Sequence, residues 1–277
     1  MNVGFIGTGS MGSILIESFL RSGALLPENI TASNRSHWKA ERLSEMYPGL
    51  CAAKSNAEVI AESEIVFLCV KPGEYKPVID EIGAIVQPSH ILVSITSPVL
   101  VRHLEELLPC KIAKVVPSIT NYVCSGATLC VYGSRIGSAD RELLERLFRH
   151  MSEPIEIEED YTRVASDLSS CGPAFLAFFI QQFIHAAVAE TGIPKIDAER
   201  LASEMTLGTG KLLTSGKFTP DALRERVSVP GGITAEGIRL MDQELHGMFD
   251  RLIQTTHKKY REDIEKVETM FFSTRVD

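Results

Sequence analysis

Residues Val3-Gly4-Phe5-Ile6-Gly7-Thr8-Gly9-Ser10-Met11-Gly12 run from a short apolar stretch into Gly-x-Gly-x-x-Gly. The pattern fits the phosphate grip of a dinucleotide site. Val3, Phe5 and Ile6 make a strand that can be covered on both faces. Gly7 permits the tight turn, Gly9 lets backbone approach a pyrophosphate, and Gly12 lets the next helix pack against the strand. A helix over Met11 to Arg21, with Met11, Ile14, Leu15, Phe19 and Leu20 on one side, would turn its N-terminal amides toward phosphate.

Two further segments bear on the cofactor. An NAD site wants a carboxylate at the end of the second strand, for the ribose 2′-hydroxyl. Here Ile30-Thr31-Ala32-Ser33 is followed by Asn34-Arg35-Ser36. A guanidinium between two small polar groups suits a 2′-phosphate, so NADP is expected over NAD, although an exposed Arg35 with no ligand would look the same. Phe67-Leu68-Cys69-Val70-Lys71-Pro72 is a buried strand ending in Lys-Pro. Ligands of open parallel sheets bind at that carboxyl edge, and Pro72 would hold the turn.

Two more segments lie farther on. Ser169-Ser170-Cys171-Gly172-Pro173 interrupts an amphipathic pattern with small residues and Gly-Pro, predicting a kink or a helix restart. Val227-Ser228-Val229-Pro230-Gly231-Gly232-Ile233-Thr234 opens the last long helix. Amides at Gly231, Gly232 and Ile233 with the Thr234 hydroxyl could bind a small carboxylate, and Thr234 could equally be an ordinary N-cap.

These residues need elements to hold them. Apolar runs at 3–6, 30–33, 65–70, 91–95, 112–116 and 127–132 alternate with helix-type spacing at 36–47, 74–86, 99–108 and 139–151. That alternation predicts an α/β fold, a doubly wound, mainly parallel Rossmann-type sheet covered on both sides. From Thr162 on, only helix signals remain, at 162–192, 195–215 and 234–268. A nucleotide-binding domain over 1–160 and an all-helical substrate and dimerisation domain over 161–277 are expected. Phe175, Leu176, Phe178, Phe179, Ile180, Phe183 and Ile184 make one helix apolar nearly all round, which predicts burial against a second subunit unless it is ordinary core.

Composition limits the classes. The 277 residues are 44% apolar and 23% charged with net charge −8, which argues against a nucleic-acid surface. The longest apolar run, Pro173 to Ile180, predicts no membrane span, and the N-terminus carries no export signal, so a cytoplasmic protein is expected. Six cysteines and seven histidines show no metal-binding spacing, and none is expected to hold a metal. His185 reads as a core histidine, and Glu156, Glu158, Glu159 and Asp160 read as a solvated connector.

Taken in order, Gly7-x-Gly9, Val70-Lys71-Pro72, Gly126-Ala127-Thr128, Cys171-Gly172-Pro173-Ala174-Phe175 and Pro230-Gly231-Gly232-x-Thr234 resemble the pyrroline-5-carboxylate reductase family over nearly the whole chain. Ser94 to Pro98, Val116 to Asn121 and Arg163 to Asp167 resemble a divergent, late-competence branch of it. The resemblance implies a Rossmann domain, a helical domain that intertwines in a dimer or larger homo-oligomer, and NAD(P)H-dependent reduction of 1-pyrroline-5-carboxylate to L-proline. It implies cofactor contacts at Ile6, Gly7, Thr8, Gly9, Ser10, Met11, Gly12, Asn34, Arg35, Asn56, Cys69, Val70, Lys71 and Pro72, with Thr96 and Ser97 near the nicotinamide. The substrate carboxylate would lie on Gly231, Gly232, Ile233 and Thr234, beside Val229, with the Thr234 hydroxyl at the ring nitrogen as the catalytic contact. A cyclic imine is basic enough to be protonated, so hydride transfer is mostly alignment and needs no strong general base.

The departures from the family cluster around substrate. Val229 replaces a serine before Pro-Gly-Gly, Ser118 replaces an asparagine, Ile119-Thr120 replaces Thr-Pro, Ser97-Pro98 replaces Ala-Gly, and Ser-Ser-Cys171 replaces Ser-Gly-Ser. One lost charge-assisted hydrogen bond costs about 1.5–3 kcal/mol, or about tenfold to a hundredfold in binding. Two other readings therefore stay open: reduction of another small imino or keto acid, and an NADP-binding regulatory protein with weak or no turnover.

Overall fold

In the computed structural model, which describes residues 1–272, the first half of the chain builds one eight-stranded sheet. The strands are β1 (Val3–Ile6), β2 (Ile30–Ser33), β3 (Cys51–Ala52), β4 (Ile65–Leu68), β5 (Ile91–Ser94), β6 (Lys111–Val116), β7 (Ala127–Tyr132) and β8 (Glu153–Glu156). Their order is β3-β2-β1-β4-β5-β6-β7-β8, parallel throughout except for the antiparallel pair β6–β7. The chain reverses its direction of winding between β1 and β4, and the carboxyl ends of these two strands form the crevice where such sheets bind ligands.

Alternation along each strand makes two cores, one per face. Val3, Phe5, Ile65 and Phe67 point to one face, where Leu15, Ile16 and Phe19 of α1 (Ser10–Arg21) cover them. Phe5 and Phe67 stack with ring centroids 5.0 Å apart. Leu144, Leu147 and Phe148 of α6 (Ser138–Arg149) complete that layer. Ile6, Val66 and Leu68 point the other way. There they meet α3 (Asn56–Ala61), α4 (Tyr75–Ile82), α5 (Val101–Leu107) and, from the C-terminus, Val267 and Phe271 of α12 (Met248–Phe272).

The helical expectations change in detail. The expected 162–192 segment is two helices, α7 (Thr162–Leu168) and α8 (Gly172–Thr191), restarted at Gly172-Pro173. After α9 (Lys195–Thr214) comes α10 (Pro220–Val227), which follows the expected break at 215–220 and is capped by Thr219 accepting from the Ala222 amide at 3.2 Å. The expected 234–268 segment is also two helices, α11 (Ile233–Glu244) and α12, parted at Gly247 (φ +67°).

By compactness the chain divides into one unit of residues 1–173 with 255–277 and a second of residues 174–254. The sequence boundary at 160 follows the loss of strand signal. The structure instead keeps α7 and the C-terminal turns of α12 with the sheet, because α12 docks there through Val267 and Phe271.

In the second unit α8 has no buried residue; Leu176, Phe178, Phe179 and Phe183 are all exposed. His185 is exposed as well, which corrects its reading as a core histidine: the helix is apolar around its circumference without being covered. The stretch Glu159–Thr191 is long and apolar enough to cross a membrane by length and composition, so counting only unbroken apolar runs missed it.

In the acidic connector Glu156, Glu158 and Asp160 are exposed as expected, and Glu159 alone is corrected. Glu156 ends β8 and pairs with Arg141 at 2.6 Å. Glu159 accepts from the fully buried Lys114 ammonium at 2.5 Å and from the Val101 amide at 2.9 Å. A lysine in the middle of a buried strand needs such a partner, because an unpaired ammonium there would cost several kcal/mol, on the order of the penalty for burying an ion.

Candidate functional site

At the crevice, the Gly7 amide donates to Ser33 O at 2.9 Å and the Cys69 amide to Ile6 O at 2.8 Å, which ties the carboxyl ends of β1, β2 and β4 together. Gly7 has φ +101°, and a Cβ there would lie 2.7 Å from Cys69 O. A Cβ on Gly12 would lie 2.2 Å from Gly7 O, so α1 starts directly on the turn only because Gly12 lacks one. Gly9, the N-cap of α1, faces open space with no side-chain cap, and the first intrahelical bond uses the Ser13 amide. The Ser10, Met11 and Gly12 amides accordingly have no partner among the described residues, as a helix start aimed at an anion requires. Thr8 is buried, and its Oγ1 has no partner among the described residues.

The second loop is tied to the first by Asn34, whose Oδ1 accepts the Thr8 amide at 3.1 Å while its Nδ2 donates to Ser36 O at 3.1 Å. Asn34 therefore shapes the loops, with half of its hydrogen-bonding capacity spent. Arg35 is exposed and ion-paired with Glu74 at 2.8 Å, across the mouth of the crevice. Asn56 opens α3; its Oδ1 accepts from Ser33 Oγ at 2.7 Å and its Nδ2 donates to Glu81 at 2.7 Å. A groove of about 350 Å³ runs along Thr8, Gly9, Ser10 and Ser13 to Trp38, Lys39 and Arg42 of α2 (Trp38–Met46).

The third side is the edge of β4 and β5. Burial pushes the Cys69 thiol and the Tyr75 phenol well above their ordinary ranges, so both are neutral. Tyr75 Oη lies 2.8 Å from Ser94 Oγ and donates to Leu68 O at 3.2 Å. Thr96 Oγ1 donates to Val70 O at 3.1 Å, fixing the loop after β5 to the Cys69-Val70-Lys71-Pro72 turn. Lys71 is exposed, and Pro72 begins a short 3-10 turn. Ser97 Oγ is buried without a partner among the described residues. Unpartnered hydroxyls at Thr8 and Ser97, with the open amides at the start of α1, fit an extended polar ligand such as a dinucleotide lying across the carboxyl edge.

In the second unit the Val229–Thr234 turn is a separate feature. Gly231 has φ +74°, which favours glycine, and the Gly232 amide donates to Val229 O at 3.0 Å. That amide closes the turn, so Gly231, Ile233 and Thr234 carry the amides without a partner among the described residues. Gly232, not Thr234, is the N-cap of α11. Thr234 lies in the first turn and Ile233 is 94% exposed. Val229 Cγ2 closes one side of the turn, 2.9 Å from where a Gly232 Cβ would stand. The turn presents amides, a hydroxyl and an isopropyl group, enough to grip a carboxylate and no more.

Two of the variant positions behave differently. Ser118 is buried; its Oγ donates to Ser169 O at 3.3 Å and accepts the Thr120 hydroxyl at 2.9 Å, so it serves packing inside the first unit. Cys171 Sγ accepts from Arg163 at 3.1 Å, and Arg163 also pairs with Asp167 at 2.8 Å. The sequence reading missed Lys114, Glu159 and Tyr260, which gather behind Ser97; the one signal was a lysine inside the apolar run 112–116.

Comparison with known proteins matches residues 159–263 to the family described as pyrroline-5-carboxylate reductase dimerisation, and residues 2–98 to NADP oxidoreductase coenzyme F420-dependent. The chain is 45% identical to ComE operon protein 4 of Bacillus subtilis over 271 residues, 98% of this chain and 99% of that one. It is 32% identical to pyrroline-5-carboxylate reductase 3 of Macaca fascicularis over 248 residues, 87% and 88% of the two chains. Its fold matches the Plasmodium falciparum pyrroline carboxylate reductase solved with NADP bound, with a TM-score of 0.80 at 24% identity, covering 98% of each chain.

Proposed function

The chain belongs to the pyrroline-5-carboxylate reductase family of NADP oxidoreductases, and on that premise we propose that it reduces 1-pyrroline-5-carboxylate to L-proline with NADPH in the cytoplasm, as a homodimer or larger homo-oligomer. The observation that carries this reading is the uncapped start of α1 on the β1 turn, together with the unpartnered Thr8 and Ser97 hydroxyls.

In this reading the Ser10, Met11 and Gly12 amides hold the pyrophosphate. Arg35 leaves Glu74 for the 2′-phosphate, and Ser97 and Thr96 border the nicotinamide. The bound dinucleotide supplies a hydride. The Gly231, Ile233 and Thr234 amides hold the substrate carboxylate, and the Thr234 hydroxyl hydrogen-bonds the ring nitrogen. The imine arrives protonated, its carbon accepts the hydride, and the nitrogen keeps its proton in the amine product. No side chain has to abstract a proton, which suits a turn with no titratable group. What these residues supply is alignment.

Val229 favours a second reading. An isopropyl group where the family has a serine removes a donor from the carboxylate grip, which suits a different imino or keto acid, or cofactor binding with little turnover. NADPH oxidation with 1-pyrroline-5-carboxylate, alongside NADPH binding on the same sample, separates these. Steady turnover supports the reductase. Binding without turnover on this imine or on a panel of cyclic imines and 2-keto acids supports a regulatory role.

A further inference from the structure

The loop after β5 is held by an arrangement that nothing in the cofactor cradle requires. Ser97 O accepts two side-chain donors, Lys114 Nζ at 3.1 Å and Tyr260 Oη at 3.0 Å. Lys114 comes from β6 and is fully buried; Glu159 takes its second bond. Tyr260 comes from α12, near the far end of the chain. One turn before it, Thr256 Oγ1 donates to Asp167 Oδ2 at 2.6 Å. Asp167 also binds Arg163, whose guanidinium lies 5.9 Å from the centre of the Tyr260 ring. Two successive turns of α12 are therefore anchored, and the second ends on the backbone of Ser97. On the other side Thr96 is tied to Val70 O. The peptide at 96–97 is thus fixed from the turn after β4, from β6 and from α12, yet Ser97 Oγ is buried with no partner among the described residues.

A buried hydroxyl left unpaired calls for an explanation, and at the carboxyl edge of an open parallel sheet a bound ligand supplies one. Ser97 follows β5 at the carboxyl edge, two strands along from the Gly7 turn in the direction away from Arg35. A dinucleotide with its pyrophosphate on α1 and its 2′-phosphate beside Arg35 extends its nicotinamide half that way.

We propose that Tyr260 of α12, with Lys114, is a positioning residue that holds Ser97 so that the Ser97 hydroxyl hydrogen-bonds the nicotinamide half of the cofactor. This rests on the reductase reading only for the identity of the ligand.

The test uses the full chain and two ligands, NADPH and 2′,5′-ADP, which keeps the phosphorylated adenosine and lacks the nicotinamide. Tyr260→Phe keeps the ring beside Arg163 and removes one oxygen. The NADPH dissociation constant is expected to rise about fivefold, the scale of one net hydrogen bond, with 2′,5′-ADP binding unchanged. Ser97→Ala should give a similar selective loss, and the double variant should be no worse than either single one, because Tyr260 acts through Ser97. Equal weakening of both ligands, an unchanged NADPH affinity, or additive losses would overturn the proposal. A wild-type protein that binds neither ligand would overturn the cofactor reading itself. Binding with the expected pattern but no turnover would leave this inference standing and remove the reductase.

Discussion

A carboxylate at position 9 would stand over the open start of α1, where no neighbouring atom comes within 4 Å of an added Cβ. Gly9→Asp should therefore fold normally, cap the helix with its own oxygen and repel a pyrophosphate from the same amides. NADPH binding should fall by at least about a hundredfold, on the scale of a desolvated like-charge contact, while thermal stability stays level or rises. Unchanged affinity would remove the cradle. Arg35 makes a finer case. Glu74 competes for its guanidinium, and an exposed pair of this kind is worth about 0–1 kcal/mol. Arg35→Ala should narrow the preference for NADPH over NADH, and Glu74→Gln should widen it by about twofold to threefold. Affinities for both cofactors in both variants check this, and a ratio insensitive to Arg35 would mean that the 2′-phosphate is read elsewhere. The sequence shows these residues because a glycine's function is written in its type. It does not show that Arg35 is paired with Glu74, since that contact joins two loops far apart in the chain.

The elements hold these residues in register, and the docking of α12 can be probed by pH. His103 of α5 is buried among Phe271, Phe272 and Glu268, with Nδ1 accepting the Leu100 amide at 3.2 Å and Nε2 3.3 Å from Glu268. Burial lowers its pKa below 6.5, partly offset by Glu268 and reinforced by Arg102 and Lys114. A histidine with a lowered folded value binds fewer protons folded than unfolded, so acid favours unfolding. Stability should fall as pH drops through about 6.5 and level off below the folded value. Glu268, whose carboxyl is held below its usual value by Arg102, adds its own loss only at lower pH, below 4.5. Between pH 7.5 and 5.5 the thermal midpoint should drop, and His103→Gln should reduce that drop. Equal pH slopes in the two proteins would show that His103 takes up protons alike in the folded and unfolded states, so that burial does not lower its value. Elements this dependent on distant partners are the ones the sequence hides. β3 is only Cys51-Ala52, and β8, Glu153-Pro154-Ile155-Glu156, is an edge strand whose polar composition reads as a loop. Buried strands such as Ile65–Leu68 are legible because both faces must be apolar.

At the scale of the whole molecule the apolar surface of α8 decides assembly. Its residues are uncovered within the chain, and the region matching a dimerisation family spans 159–263. Leu176, Phe178, Phe179 and Phe183 are 49%, 64%, 45% and 60% exposed. Covering one large apolar side chain is worth about 1.5–3 kcal/mol, so four of them on each of two copies supply a drive well beyond that of an ordinary surface. The same composition passes as a bilayer span, and the two fates predict different behaviour. If a second copy covers α8, the purified protein should sediment as a dimer or larger without detergent. Phe183→Asp, which sets a charge in that face, should then shift it toward monomer while leaving the sheet's two cores untouched. NADPH binding by the cradle in the first unit should survive the shift, because every residue proposed to hold the cofactor belongs to that unit. Turnover tests a stricter requirement. The turn at Gly231–Thr234, proposed to hold the substrate carboxylate, belongs to the same unit as α8, so loss of imine reduction together with the dimer, with NADPH binding intact, would mean that turnover requires assembly. A wild-type protein that sediments as a monomer would remove that explanation for α8 and leave its apolar circumference to another partner.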